Sequence, residues 1–157
     1  MSFNDKKVYF ASPWFNPEQA EREERVKGKL RELGFYVWSP KDNCVCSPIA
    51  SEELRQKVFS DNVENIKSSD IIFAITDGKD MGTIWEAGFA SGYNAGAGEN
   101  HKPITIVYYC ETLGPNGQFN LMLAQSGNIV ITRFEDLDKL PELIDKGEEL
   151  AYAGIVE

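Results

Sequence analysis

Hydrophobic and polar positions alternate along the chain in blocks that predict strands and helices in turn. Five short apolar segments, each bounded by turn-forming residues, are typical of buried parallel strands. They cover residues 7–11, 35–39, 70–76, 103–109 and 128–132. Helical spacing of apolar residues separates the first four segments, which leaves room for crossover helices.

Start and stop signals delimit the predicted helices. Asn16 followed by Pro17 begins the first helix, Gln19 is placed to complete a capping box, and Gly34 ends the helix. The Glu, Arg and Lys residues that fill the rest of this helix are expected to form a solvated face. The second helix begins after the cap residue Ser51, and its apolar face is expected to comprise Leu54, Val58, Phe59, Val63 and Ile66.

The remaining connections are predicted from their turn and breaker residues. Residues 40–50 are expected to form a loop, and residues 110–125 a long connection, which in a compact domain is often functional. A helix rich in small residues is predicted up to about Ala97. A last helical segment is predicted from about Glu135, with an interruption at Pro141.

This order of elements predicts an α/β fold: a flavodoxin-like, doubly wound, five-stranded parallel sheet with strand order 2-1-3-4-5. One domain is expected over residues 1–157. Its switch point lies between the first and third strands, so the loops at residues 12–15 and 77–82 are expected to share one crevice. Open α/β sheets bind their ligands at such a crevice.

Charge and composition exclude several classes of partner. A net charge of −9 argues against nucleic acid, which requires a basic surface, but leaves an uncharged nucleoside possible. No apolar run approaches a membrane span, and the N-terminus lacks a signal-peptide core. Three cysteines give no even disulfide framework, which favours the cytoplasm. A single histidine and an isolated Cys44-x-Cys46 pair argue against a metal site.

The segment that follows the third strand carries the most informative chemistry. Residues 80–90 contain two carboxylates, Asp80 and Glu86, on either side of a Gly-Thr turn, at the point where a strand passes into a helix. This arrangement indicates sugar chemistry and not a phosphate cradle. A carboxylate at a helix N-terminus is expected to be held ionised by the helix dipole, which suits a nucleophile.

Glu86 also has a purely structural interpretation. Thr83-Ile84-Trp85-Glu86 matches a capping box in which Glu86 reaches back to the Thr83 amide, and the pattern alone favours this interpretation. The neighbouring Asp80 argues against it. So does the run of Gly and Ala behind Glu86, since these glycines lower helix propensity unless a close approach to a sheet or ligand requires them.

The same residues resemble the signature of the nucleoside 2-deoxyribosyltransferase family. The matching pattern is Asp80-x-Gly82-Thr83-x-Trp85-Glu86-x-Gly88-x-Ala90, supported by Val8-Tyr9-Phe10, Trp14-Phe15, residues 66–70 and Asn120-Leu121-Met122. The resemblance covers nearly the whole chain. It implies an enzyme that exchanges the base of 2′-deoxynucleosides for a free nucleobase, with no cofactor, through a covalent deoxyribosyl-glutamate intermediate and with retained configuration.

The resemblance also implies a role for each site residue. Glu86 matches the nucleophile, and Tyr9 a hydroxyl that hydrogen-bonds and positions it. Asp80 matches a carboxylate that holds a sugar hydroxyl. The substrate-binding set implied by the motif comprises Phe15, Asn62, Gly82, Asn120 and Met122, of which Asn120 contacts the 5′-hydroxyl from a neighbouring subunit.

One position departs from the family pattern. The family has an Asn-Asp pair near the base, whereas this chain has Asp61-Asn62, so an amide occupies the position of the acid. Asn62 is therefore expected to bind the base by hydrogen bonds without donating an acidic proton. Neighbouring residues on a helix point about 100° apart, so Asp61 is expected to be mainly solvated.

Two other functions remain open from the sequence. A related branch hydrolyses deoxynucleoside 5′-monophosphates, but the loop at residues 11–15 lacks the glycine and arginine that a phosphate site needs, and Asn120 suits a neutral hydroxyl. A non-enzymatic nucleotide-binding domain would require Tyr9, Asp80 and Glu86 to coincide by accident.

The position of Asn120 predicts self-assembly. It follows the fourth strand, far in the sheet order from the Tyr9 loop, so a second subunit is expected to supply it. We expect a homo-oligomer, at least a dimer and by resemblance a hexamer, with shared active sites. The anchors are expected at Trp85, Phe89 and Tyr93.

Overall fold

Helices and strands alternate through the residues that the structure describes, 5–114 and 116–157 of a computed structural model. The elements are β1 (Lys7–Ala11), α1 (Pro17–Glu32), β2 (Tyr36–Trp38), α2 (Pro40–Asn43), α3 (Glu52–Lys67), β3 (Ile71–Ile75), α4 (Met81–Gly96), β4 (Thr105–Tyr109), β5 (Gln118–Phe119), α5 (Leu121–Ser126), β6 (Ile129–Ile131), a 3-10 helix (Phe134–Lys139), α6 (Leu140–Lys146) and β7 (Ile155–Val156).

The five predicted strands form one parallel sheet. Its order is β2-β1-β3-β4-β6, which is the predicted 2-1-3-4-5 order with β6 as the fifth strand. The flavodoxin-like α/β fold is therefore confirmed. The order reverses between β1 and β3, so the loops that leave these two strands diverge at the carboxyl edge of the sheet.

Each face of the sheet has its own hydrophobic core. On one face Val8 and Phe10 pack with residues of α1, the 3-10 helix and α6. On the other face Tyr9 and Ala11 pack with residues of α3, α4 and α5. Successive strand side chains point to opposite faces, so the odd positions of β1 are directed at α3 and α4.

The first helix begins at the predicted cap residue, but its Gln19 side chain does not complete the predicted capping box. Asn16 caps α1 by accepting the Gln19 amide at 2.9 Å. The Gln19 side chain accepts the Phe15 amide at 2.9 Å, one residue earlier than a capping box requires. Because Gln19 also lies against Gly78, it connects the two loops of the switch point.

The charged face of α1 is partly buried, contrary to the solvated face expected from the sequence. Glu23 and Lys27 are each 1% exposed and form a 2.9 Å ion pair. Lys27 also reaches Asp42 in α2 at 3.0 Å, and Lys41 reaches Glu23 at 2.9 Å. These bonds fasten α2 to α1, and the charges tolerate burial because each has an opposite partner.

Three short elements lie where loops were predicted. α2 occupies the start of the predicted loop at residues 40–50, capped by Ser39. β5 and α5 occupy the predicted connection at residues 110–125. β5 pairs in parallel with β7, so its partner lies far away in the sequence and local patterns give no sign of it.

The apolar face of α3 is less buried than predicted. Ser51 caps the helix as expected, but of the five predicted apolar positions only Ile66 is fully buried. Leu54 is 42% exposed and Phe59 is 56% exposed. The periodicity identified an apolar face without revealing what covers it.

We predict that Gly78→Ala destabilises the protein by about 1–2 kcal/mol. Gly78 has φ +82°, and an added Cβ would lie 3.0 Å from the Gln19 side-chain nitrogen. The matched control is Gly28→Ala inside α1, where nothing lies within 4 Å. That change should stabilise by up to about 1 kcal/mol. Urea unfolding measures both, and equal effects would contradict the prediction.

Candidate active site

A tyrosine and a glutamate form the centre of the candidate site. The Tyr9 hydroxyl donates a hydrogen bond to Glu86 Oε1 at 2.6 Å. Tyr9 is fully buried in β1, and Glu86 lies in the second turn of α4. Ala87 and Ala90 are fully buried against the sheet, and their small side chains permit the close approach that brings Glu86 to Tyr9.

Neighbouring side chains fix the Tyr9 ring. Trp38, its register partner in β2, stacks on it with ring centroids 5.2 Å apart and an interplanar angle of 28°. Cys44 packs against the same cluster. Trp38 and Cys44 were not among the predicted site residues, because Trp38 reaches Tyr9 through the pairing of β1 with β2 and Cys44 through the position of α2.

The environment makes Glu86 easier to protonate. Burial raises the pKa of Glu86; the Tyr9 hydrogen bond opposes this and the charge of Asp80 adds to it, giving a pKa of about 7. The expectation that the helix dipole holds this carboxylate ionised is therefore wrong. The dipole acts within the first turn, and Glu86 lies beyond it. Burial and the Glu86 carboxylate raise the pKa of Tyr9, so its phenol stays protonated.

Asp80, and not Thr83, caps α4. Its Oδ2 accepts the Thr83 amide at 2.8 Å and the Thr83 hydroxyl at 2.9 Å. The capping-box interpretation of Glu86 is therefore wrong. An added Cβ at Gly82 would lie 3.2 Å from Asp80 Oδ2, so glycine at this position keeps the carboxylate uncrowded. Within the described ranges, Asp80 Oδ1 accepts no hydrogen bond.

The backbone before Asp80 turns through two left-handed residues. Gly78 has φ +82° and Lys79 has φ 53°. A lysine in this region costs of order 1 kcal/mol or more. The loop accepts this cost where it turns from β3 into the cap of α4.

The two side chains expected around the base, Phe15 and Asn62, lie on different elements and differ in exposure. Phe15 is 71% exposed and contacts Trp14, with ring centroids 5.1 Å apart. In α3 the Asn62 Oδ1 atom is shielded from solvent and, in the part of the chain described, has no hydrogen-bond partner. Its neighbour Asp61 forms an ion pair with Lys57 and is not merely solvated.

Asn120 and Met122 lie on a cavity beside the loop between β3 and α4. Asn120 caps α5 with its Oδ1, which accepts the Met122 amide at 3.0 Å, and the Met122 side chain is 73% exposed. Both line a cavity of about 420 Å³ that also contains Ile84 of α4. The lining of this cavity does not include Tyr9, Asp80 or Glu86.

Neither a metal-binding cluster nor a membrane-spanning helix was found among the described residues. Residues 5–114 and 116–157 contain no group of three or more His, Cys, Asp or Glu side chains that could hold a metal ion. None of the helices in these ranges has the length and hydrophobicity that a membrane span requires.

The fold and the site together define a flavodoxin-like α/β protein in which a buried tyrosine is hydrogen-bonded to a partly buried carboxylate beside the switch point. A family model, nucleoside 2-deoxyribosyltransferase, matches residues 8–130, and the chain belongs to this family. Membership indicates a deoxyribosyltransferase enzyme, as the sequence motif suggested.

Solved structures agree with this assignment. The structure resembles a characterised 2-deoxyribosyltransferase from the psychrotolerant bacterium Bacillus psychrosaccharolyticus, with a TM-score of 0.72 and 29% identity, over 93% of this chain and 98% of that one. It also resembles a conserved protein from Enterococcus faecalis V583, with a TM-score of 0.65 and 20% identity, over 90% and 98% of the two chains. The second likeness concerns the fold alone. No curated protein matched the chain.

We predict that Glu86→Gln is more stable than the unmodified protein at about pH 8, by up to about 3 kcal/mol. The Glu86 pKa rises from an ordinary 4.5 to about 7 on folding, so the folded protein loses stability as the pH rises between these values. Glutamine keeps an acceptor for Tyr9 and removes this loss. Urea unfolding at about pH 5 and about pH 8 should show a larger difference at the higher pH.

Glu111→Gln is the control of opposite sign. Burial alone would raise the pKa of Glu111, but hydrogen bonds from Tyr109, Arg25 and Arg22 outweigh it and lower the pKa to about 2. Its stabilising effect is present above the unfolded pKa, so Glu111→Gln should destabilise at both pH values. A Glu86→Gln protein whose stability matches the unmodified protein at both pH values would contradict the assignment.

Proposed function

We propose that this protein exchanges the base of 2′-deoxynucleosides through a covalent deoxyribosyl-Glu86 intermediate. The observation that carries the proposal is the 2.6 Å hydrogen bond from the buried Tyr9 hydroxyl to Glu86. A structural carboxylate does not need this arrangement, since Asp80 already caps α4. A nucleophile does, because a single donor fixes its orientation and leaves its second oxygen free.

The exchange takes place in two displacements. Ionised Glu86 attacks C1′ of the sugar, the C1′–N bond breaks, and its electron pair leaves with the base, which gains a proton from water. A nitrogen of the incoming base then attacks C1′ and loses its proton to water. The electron pair of the C1′–O bond returns to Glu86. Two inversions give retained configuration.

Asp80 is the proposed sugar ligand. Its Oδ2 is engaged by Thr83, while the Oδ1 atom is available to accept a sugar hydroxyl. The absence of a side chain at Gly82 keeps the approach to Asp80 open. The Tyr9–Glu86 contact closes the space beside the attacking oxygen, so a sugar without a 2′-hydroxyl fits best.

Asn62 is the proposed hydrogen-bonding partner of the base, and the exposed Phe15 ring is proposed to pack against the nucleoside. The Asn62 Oδ1 atom has lost water without gaining a partner among the described residues, which costs about 1–3 kcal/mol until a donor is supplied. An N–H group on the base edge would supply it. Since an amide donates no acidic proton, the leaving base takes its proton from water.

We predict that Glu86→Ala lowers base exchange by at least about a thousandfold, because the covalent route is removed. Thymidine or deoxyinosine is incubated with and without adenine, and the nucleosides are separated by chromatography. Tyr9→Phe should be milder, since the carboxylate remains. The pH dependence of the Tyr9→Phe activity should also shift to higher pH, because loss of the hydrogen bond raises the Glu86 pKa further.

The same assays distinguish the proposed function from the two alternative functions. Efficient cleavage of deoxynucleoside 5′-monophosphates without exchange would instead establish a hydrolase. Binding of a nucleoside without turnover would establish a non-enzymatic domain. Near-normal exchange by Glu86→Ala would exclude Glu86 as the nucleophile.

We further propose that a second subunit supplies Asn120 and Met122 to each site, in a homodimer or a larger assembly such as a hexamer. Asn120 and Met122 line a cavity that excludes Glu86, and the Asn120 amide nitrogen donates no hydrogen bond within the described ranges. Trp85 is 48% exposed and lies against Phe59, with ring centroids 5.4 Å apart.

The exposed side of α4 supports this assembly. Trp85 stacks on Phe89 with centroids 5.5 Å apart, and Phe89 stacks on Tyr93 at 6.1 Å. Gly88 and Gly92 have nothing within 4 Å of an added Cβ, so the close approach that glycine permits is not made inside one chain. An apolar helix face of this kind suits another copy of the protein.

We predict that mixing Glu86→Ala with Asn120→Ala restores activity, because each mixed dimer contains one complete site. Half of the dimers are mixed at equal amounts, so about a quarter of the sites recover. Activity is measured after subunit exchange. The control mixture combines Glu86→Ala with Tyr9→Phe. One subunit supplies both Glu86 and Tyr9 to a site, so mixing creates no complete site and the activity should not exceed that of Tyr9→Phe itself. A fully active monomer in sedimentation would contradict shared sites.

A further inference from the structure

Asp77 is a buried carboxylate with no part in the proposed chemistry. It follows β3 and is 1% exposed. Its Oδ1 accepts the Thr112 amide at 2.7 Å, and its Oδ2 accepts the Glu111 amide at 3.2 Å. No salt bridge joins it to a basic side chain in the described ranges. Its partners are therefore two backbone amides and the Cys110 thiol, which donates to Oδ1 at 3.9 Å, all at the point where the chain leaves β4.

The two segments joined by Asp77 both lead to proposed site residues. On its own side, Gly78 and Lys79 turn the chain into Asp80 and α4. On the other side lies a segment that we call the Asn120 loop, residues 110–114 and 116–120. It ends at Asn120, the cap of α5. We call the two hydrogen bonds that Asp77 accepts from the Glu111 and Thr112 amides the Asp77 clamp. This clamp joins the two segments.

The Asn120 loop depends on this clamp near its start. Glu111 adds a side-chain anchor, since it accepts Arg22 at 2.8 Å and Arg25 at 2.7 Å. Beyond Thr112 the loop runs along the cavity of about 420 Å³, and its next regular structure is β5. Asp77, Thr112 and Asn120 all line that cavity, and the Asn120 loop connects Thr112 with Asn120.

We propose that Asp77 is a positioning residue for substrate binding, which acts through the Asn120 loop on the site of the neighbouring subunit. This inference rests on the proposed function. The carboxylate accepts both amides at once, whereas an asparagine of the same shape presents one acceptor and one donor. Asp77→Asn therefore sets an N–H group against a backbone N–H group and releases one side of the clamp.

The test compares Asp77→Asn with a matched control at the other end of β4. Asn94 also makes two hydrogen bonds to the backbone, since it accepts the Ile104 amide at 2.9 Å and donates to the Ile104 carbonyl at 2.8 Å. We expect Asp77→Asn to raise KM for a 2′-deoxynucleoside about tenfold with kcat within about threefold. Asn94→Ala should lower the melting temperature and leave KM unchanged.

Mixing subunits tests whether Asp77 affects the KM of the neighbouring subunit's site or that of its own. With Glu86→Ala in large excess, each Asp77→Asn subunit pairs with a Glu86→Ala subunit whose Asn120 loop is intact. The remaining Glu86 sites should then show the KM of the unmodified protein. A raised KM in this mixture would overturn the proposal, as would an unchanged KM in Asp77→Asn alone. An unmodified protein without exchange activity would instead overturn the proposed function.

Discussion

The hydrogen bond between Tyr9 and Glu86 is the constraint on which the site depends. It joins a fully buried strand residue to the second turn of α4 at 2.6 Å, so β1 and α4 must approach closely. Small residues at Ala87 and Ala90 allow that approach. The same environment brings the pKa of Glu86 to about 7, so this carboxyl group is partly protonated at neutral pH.

The loops around this pair are fixed by polar side chains, of which only Asp80 has a part in the proposed chemistry. Gln19 links the Phe15 loop with Gly78, and Asp77 joins the chain after β3 with the chain after β4. Asp80 begins α4 and so sets the position of Glu86 along the helix. Polar side chains of this kind hold loops in one geometry because releasing them would leave backbone donors unpaired.

Much of the fold and part of the site could be predicted from the sequence. The five sheet strands, their order and the caps Asn16 and Ser51 follow from local patterns, which short-range sterics and hydrogen bonding determine. α2, β5, α5 and β7 were missed. The pairing of β5 with β7 is long-range, and the bonds from Lys27 and Lys41 to α2 depend on α1 packing beside it.

The sequence by itself determined the family, the α/β class and the motif that contains Asp80 and Glu86. Only the tertiary structure decided that Asp80 caps α4 while Glu86 turns to Tyr9, because a capping box and a buried pair can share one local spacing. Tertiary structure also decided which carboxylates are buried. Burial depends on what packs against a residue, and the residues that cover Glu86 and Asp77 come from strands and loops distant in the sequence.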